Sequence, residues 1–112
     1  MMRIVKAFGH SIDGVREAIA NHTAFRQELI ITTVLVPLAI WLGQNGVERS
    51  ILIGTLLIIL IVELVNSAIE NTVDRIGNDK NILSKNAKDL GSAAVFIAIV
   101  NAVLIWILVL FQ

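Results

Sequence analysis

"ILIVELVNSAIENTVDRIG", residues 59–77, starts as sequence compatible with lipid and then places Glu63, Asn66 and Glu70 before the apolar run has ended. Positions 63, 66 and 70 stand at i, i+3 and i+7, so on one helix they share a face, with Glu70 about 10 Å further along the axis than Glu63. Asp74, at i+11, continues that stripe. An ionisable group in a membrane span costs about 3 kcal/mol by insertion scales unless it meets water, a partner or a function. Asn66 or Ser67 alone would join helices at lower cost than a carboxylate. The stretch therefore predicts a membrane helix carrying a polar functional stripe.

The rest of the chain fits that reading. Of 112 residues 56% are hydrophobic, and the mean hydropathy is +0.81, too apolar for an ordinary soluble domain of this length. Residues 29–47, "LIITTVLVPLAIWLGQNGV", and 90–111, "LGSAAVFIAIVNAVLIWILVLF", carry no charge, and each suffices for one crossing. With 51–69 between them they predict three spans in a single domain, 1–112. Pro37 falls inside the first span, where a membrane helix tolerates it, and "GQNG" (43–46) supplies the turn into the second. Residues 1–22 differ: Ile4, Val5, Phe8, Ile12, Val15 and Ile19 recur at helical spacing, with Arg3, Lys6, Asp13, Arg16 and Glu17 on other faces. They predict a helix lying on the membrane surface. Lys6, His10 and Asp13 interrupt the run that a cleavable signal peptide requires, so this segment is expected to remain.

Basic residues set the expected orientation. Arg3, Lys6, Arg16 and Arg26 precede the first span, and Arg75, Lys80, Lys85 and Lys88 follow the second, with Arg49 alone between. The N-terminus is expected in the cytoplasm and the C-terminus outside. There is no Cys, which excludes disulfides and thiolate chemistry, and nine basic side chains balance nine acidic ones. Without a basic patch or Lys/Arg run, nucleic acid is not an expected partner.

Beyond the loop that follows the stripe, "NAKDLGSAA" puts Lys88 and Asp89 at the start of the third span and Ser92 one turn further in. Carboxylates at a membrane surface can hold Mg²⁺, an ammonium can meet phosphate, and a deeper carboxylate can deprotonate a hydroxyl presented from the bilayer. Phosphoryl transfer to a lipid is one reading of the set. Membrane carboxylates also serve proton-coupled transporters, so a small transporter or channel subunit using Glu63 is the alternative of another class. No Walker-type loop, G-x-G-x-x-G or protein-kinase motif is present.

Three segments carry a resemblance to a known family: "AFRQE" (24–28), "VELVNSAIENTVDRIG" (62–77) and "AKDLGSAAV" (87–95), in that order. They resemble the small bacterial integral-membrane diacylglycerol kinases, a family that includes undecaprenol kinases. E-x-x-N-S-x-x-E-x-x-x-D-R followed by A-K-D-x-G-S-A-A is highly specific, and the similarity covers essentially the whole chain. The resemblance implies an all-α homotrimer in the bacterial inner membrane, with sites shared between subunits, transferring the γ-phosphoryl of Mg·ATP to diacylglycerol. Undecaprenol is the alternative acceptor.

Position by position, Glu63 matches the family's catalytic base and Asn66 a supporting polar residue. Glu70 matches a carboxylate for the ATP-associated magnesium, and Lys88 and Asp89 match nucleotide contacts. Arg3, His10, Asp79, Lys80 and Asn81 fall at further nucleotide-side positions; Phe25, Arg26, Gln27, Glu28, Trp41 and Ser92 fall where the family lines its lipid site. His22 stands where the family usually presents a second metal-binding Glu. Imidazole is a poor ligand for Mg²⁺, so His22 joins Glu70 as a metal candidate by position alone.

Overall fold

The computed structural model describes residues 1–77 and 80–112, and helices make up almost all of them. They are α1 (Met2–Asn21), α2 (Thr23–Leu42), α3 (Gly46–Ile76) and α4 (Ile82–Leu110). No strand occurs among the described residues. The last three are long and apolar enough to cross a membrane, so the expected surface helix and three spans are all present. The 20 residues of α2 reach about 30 Å, the thickness of a hydrocarbon core. With 31 and 29 residues, α3 and α4 overrun that thickness by roughly half again.

The span boundaries shift for local reasons. The first apolar stretch, expected as a span to 47, ends as a helix at Leu42, and Val47 belongs to α3. Asn45 causes the early restart: its side chain accepts the Glu48 N–H at 2.9 Å and caps α3. The second span, expected over 51–69, is part of one helix that runs on to Ile76 and so carries Glu63, Asn66, Glu70 and Asp74 without a break. Gly77 ends it at φ 155°, a conformation open to glycine alone. Asn81 starts α4 eight residues before the third apolar stretch by accepting from Leu83 and Ser84 N–H.

α3 is the central helix, packed against both α2 and α4, and no comparable contact joins α2 to α4 among the described residues. Its buried stripe is Leu52, Thr55, Leu56, Ile59, Glu63, Asn66 and Ser67, the spacing of a helix face turned to its neighbours. Ile59 meets Ala98 and Ala102 of α4, whose small side chains allow close approach. Leu52 is fully buried nearer the α2–α3 hairpin. Trp106 of α4 donates from Nε1 to Thr55 Oγ1 at 3.0 Å and to the Leu52 carbonyl at 3.3 Å, cross-linking α3 and α4 in the apolar half.

α1 leaves the bundle at a corner one residue long. His22 is extended (φ −123°, ψ 102°) between the end of α1 and the start of α2. Arg26 holds the corner, donating from Nη1 to the Ile19 and Ala20 carbonyls at 2.9 and 3.1 Å and from Nη2 to Thr23 Oγ1 at 3.3 Å. Those carbonyls close α1, and a cation there also opposes the helix dipole. Only Ala18 of α1 is buried. Ile4, Val5 and Phe8 are exposed, leaving an apolar face of the kind that lies on a bilayer.

Candidate functional site

Glu63 lies on the packing stripe of α3, in line with Leu52, Leu56 and Ile59, and the residue is only 5% exposed. Its carboxylate makes no hydrogen bond or ion pair with any described side chain; its backbone carbonyl accepts from Ser67 Oγ at 2.9 Å. Glu28, Glu70 and His22 are the ionisable groups within electrostatic reach of it. A carboxylate on a packed helix stripe with no partner among the described side chains is chemically able to accept a proton or a hydrogen bond from a ligand.

One turn along α3, Asn66 donates from Nδ2 to Glu70 Oε1 at 3.3 Å. Its Oδ1 is buried without a partner and faces Gly91 of α4, where an added Cβ would come 2.0 Å from that oxygen. Gly91 thus lets α4 close over Asn66. The other oxygen of Glu70 lies 3.8 Å from His22 Nδ1, and His22 Nε2 is the second buried polar atom without a partner among the described residues. Both such atoms therefore belong to the two side chains flanking Glu70. The Glu70 side chain is 43% exposed, open to water and solutes.

Beyond Glu70 along α3, Lys88 meets Asp74 across α4 and α3 at 2.6 Å, while Asp89 pairs with Lys85 at 2.6 Å on its own helix. These four residues line one open pocket of about 360 Å³ with Lys80 and Asn81. Lys88 and Asp89 are thus brought to one cavity but not to each other. Asn81 spends its carbonyl on capping α4. Asp79 lies outside the described residues.

Of the remaining expected positions, Glu28 is half-buried beside the Glu63 end of the bundle. Phe25 is 2% exposed and packs inside the bundle. Arg26 is committed to the α1 end. Gln27 and Ser92 are exposed at the same level. Trp41 is 79% exposed and sits thirteen residues, about 20 Å, beyond Glu28 on α2, away from the rest. Arg3 and His10 are exposed on α1, with no hydrogen bond or ion pair to the described residues. Sequence reasoning missed the Trp106–Thr55 cross-link, for which two lone polar groups in otherwise apolar runs were the only signal, and the helix-closing role of Arg26, which depends on the corner.

Three helices long and apolar enough to cross a membrane, with an amphipathic helix ahead of them, define an integral membrane protein. The chain belongs to the prokaryotic diacylglycerol kinase family, whose pattern matches residues 9–110. It is 48% identical over 110 residues to a diacylglycerol kinase of Escherichia coli (strain K12), covering 98% of this chain and 90% of that protein. A diacylglycerol kinase of Pseudomonas aeruginosa is 44% identical over 110 residues, with 98% and 89% covered. One from Helicobacter pylori (strain 26695) is 38% identical over 104 residues, with 93% and 81% covered.

Proposed function

We propose that this protein is a diacylglycerol kinase that transfers the γ-phosphoryl of Mg·ATP to the free hydroxyl of diacylglycerol, giving phosphatidate and ADP. The observation that carries the reading is Glu63, buried, unpartnered and set in the membrane part of α3. Glu63 accepts the hydroxyl proton as the lipid oxygen forms its bond to the γ-phosphorus and the bond to the ADP oxygen breaks. Asn66 holds Glu70 through its amide. Lys88, already beside Asp74, supplies a cation that can move onto phosphate in the open pocket.

Magnesium supplies charge neutralisation of the phosphates when bound. No group of three or more His, Asp or Glu side chains able to hold a metal occurs among the described residues. Glu70, half-exposed, fits an ion held mainly by nucleotide phosphates and water, whereas the His22 imidazole does not fit a hard oxygen-seeking cation. Glu70 is accordingly assigned as the magnesium carboxylate and His22 is not.

The same reading takes the α1–α2 corner and the α3–α4 loop as the cytoplasmic end, in a bacterial inner membrane, with the C-terminus periplasmic, and the working unit as a homotrimer. The large exposed apolar surface of α2 and α4 serves both lipid contact and subunit packing. Purified protein in mixed micelles with labelled ATP, magnesium and either dioleoylglycerol or undecaprenol tests the assignment. Label is expected in phosphatidate; label only in undecaprenyl phosphate moves the acceptor, and no lipid label sinks the kinase in favour of a transporter. Cross-linking in mild detergent is expected to give three copies, and an active, strictly monomeric preparation would exclude shared sites.

A further inference from the structure

Asn101 carries the single side-chain amide in the apolar run 90–111. Lys85, Lys88 and Trp106 of α4 all bond within the chain, whereas the half-buried Asn101 side chain makes no hydrogen bond with any described residue. It stands eleven residues from Leu90 and ten from Phe111. That is about 15 Å of helix either way, the depth of one leaflet of hydrocarbon. The amide therefore lies near the middle of the bilayer. Water, head groups and ester carbonyls are out of its reach there, and acyl chains offer neither donor nor acceptor. Only protein can satisfy it, and the helices of its own chain do not.

The sequence around Asn101 says what kind of protein. Leu90, Ala94, Ile97, Asn101, Leu104 and Leu108 follow one another at steps of four, three, four, three and four, the 3.5-residue repeat of a helix seam. All but Asn101 are exposed, and the contact with α3 uses a different face, that of Gly91, Ala98 and Ala102. Lipid places no such period on a helix, whereas a partner helix does. In coiled coils a lone Asn on the seam fixes register and copy number. An amide both donates and accepts, so identical amides meeting about a symmetry axis satisfy one another. A second copy of this chain supplies that group at the same depth.

We propose that the outward stripe of α4 is an interface with a second copy of this chain, and that Asn101 locks its register by hydrogen-bonding the same side chain of that copy at mid-membrane. The proposal deepens the homo-oligomer part of the function proposed for the chain and assigns it a surface and a polar lock. In a ring of three copies, three amides close one cycle of hydrogen bonds. A bond of this kind strengthens helix association about threefold on average, so losing three lowers it about 20-fold. Leucine at the same position keeps the apolar packing and removes every bond of the cycle.

The chain has no Cys, so single cysteines report on the interface without background. Ile97→Cys and Leu104→Cys, each retaining Asn101, are oxidised with copper phenanthroline in phosphatidylcholine vesicles beside Phe96→Cys. Phe96 is as exposed as Ile97, at 66%, but lies off the stripe. Disulfide-linked pairs of chains are expected from the stripe cysteines and not from Phe96→Cys. No linkage on the stripe, or as much at Phe96, would overturn the interface, whereas a strictly monomeric, active parent would overturn the homo-oligomer reading itself. Sedimentation equilibrium in detergent then compares the parent with Asn101→Leu. The association constant should fall about 20-fold in the variant. Stripe cysteines that link while Asn101→Leu associates as tightly as the parent, or more tightly, would leave the interface standing and remove Asn101 as its lock.

Discussion

The two ends of the bundle both bond polar groups within the chain and differ in what they leave unbonded; the Glu63 end has the Arg26 contacts, the Asn81 cap and the Lys88–Asp74 pair. At the α2–α3 hairpin Arg49 Nε donates to the Ile40 carbonyl at 2.9 Å, and Asn45 caps α3. Glu48 accepts from the Gln44 N–H at 3.1 Å and from Gln112 at 2.7 Å, and Trp106 joins Thr55. At the other end Glu63 is buried without a partner, and Asn66 Oδ1 and His22 Nε2 are orphaned. Both ends face the same penalty for a polar group in a dry setting. The hairpin end removes it with internal bonds and gains a staple, whereas the Glu63 end retains it and gains groups free to act on a ligand.

Substitutions at the two ends should therefore separate activity from stability. Gly91→Val is expected to have the largest effect of the three considered, since its Cβ would come 2.0 Å from Asn66 Oδ1 and the overpacking costs about 1–3 kcal/mol. Phosphorylation of diacylglycerol should fall with it, and a variant with parental Tm and kcat would show that α4 does not close on Asn66. At the hairpin, Asn45→Ala removes a helix cap worth about 1 kcal/mol. Thermal unfolding in detergent should shift down while kcat below the transition stays parental; a kcat loss without a Tm shift would blur the division between the ends. The smallest effect belongs to His22→Glu, which adds a carboxylate oxygen 3.8 Å or so from Glu70 in place of a nitrogen. The magnesium concentration for half-maximal activity should drop a few-fold, the scale of one partly exposed charge interaction of about 0.5–1 kcal/mol. Superimposable magnesium titrations would leave His22 as a corner residue only.

How much of this could be read from the residues depended on distance along the chain. The Glu63–Asp74 stripe was legible because four polar positions at helical spacing fall on one unbroken helix, and periodicity is all that such a feature needs. The three spans were legible from uninterrupted apolar length. Their ends were not, because Asn45 and Asn81 restart helices through side-chain caps inside or ahead of the apolar runs; an Asn before a periodic run was the available signal. The pairing of Lys88 with Asp74 rather than Asp89 spans fourteen residues and a loop, beyond any local pattern. The resemblance puts Phe25 and Arg26 at the lipid site; the burial of Phe25 and the reach of Arg26 to the end of α1 follow from the one-residue corner at His22, which no local pattern displays.

The central claim is that the buried, unpartnered carboxylate of Glu63 is the base for phosphoryl transfer. Glu63→Gln keeps the size and most of the hydrogen-bonding capacity of the side chain, removes the proton acceptor, and relieves a buried charge. Turnover of dioleoylglycerol with Mg·ATP in mixed micelles, measured on parent and variant preparations of matched thermal stability and matched nucleotide binding, gives the most direct test. The account predicts a loss of kcat of about 10²- to 10⁴-fold, the range for a general base, in a protein at least as stable as the parent. A folded Glu63→Gln variant that phosphorylates diacylglycerol at near-parental rate would contradict it.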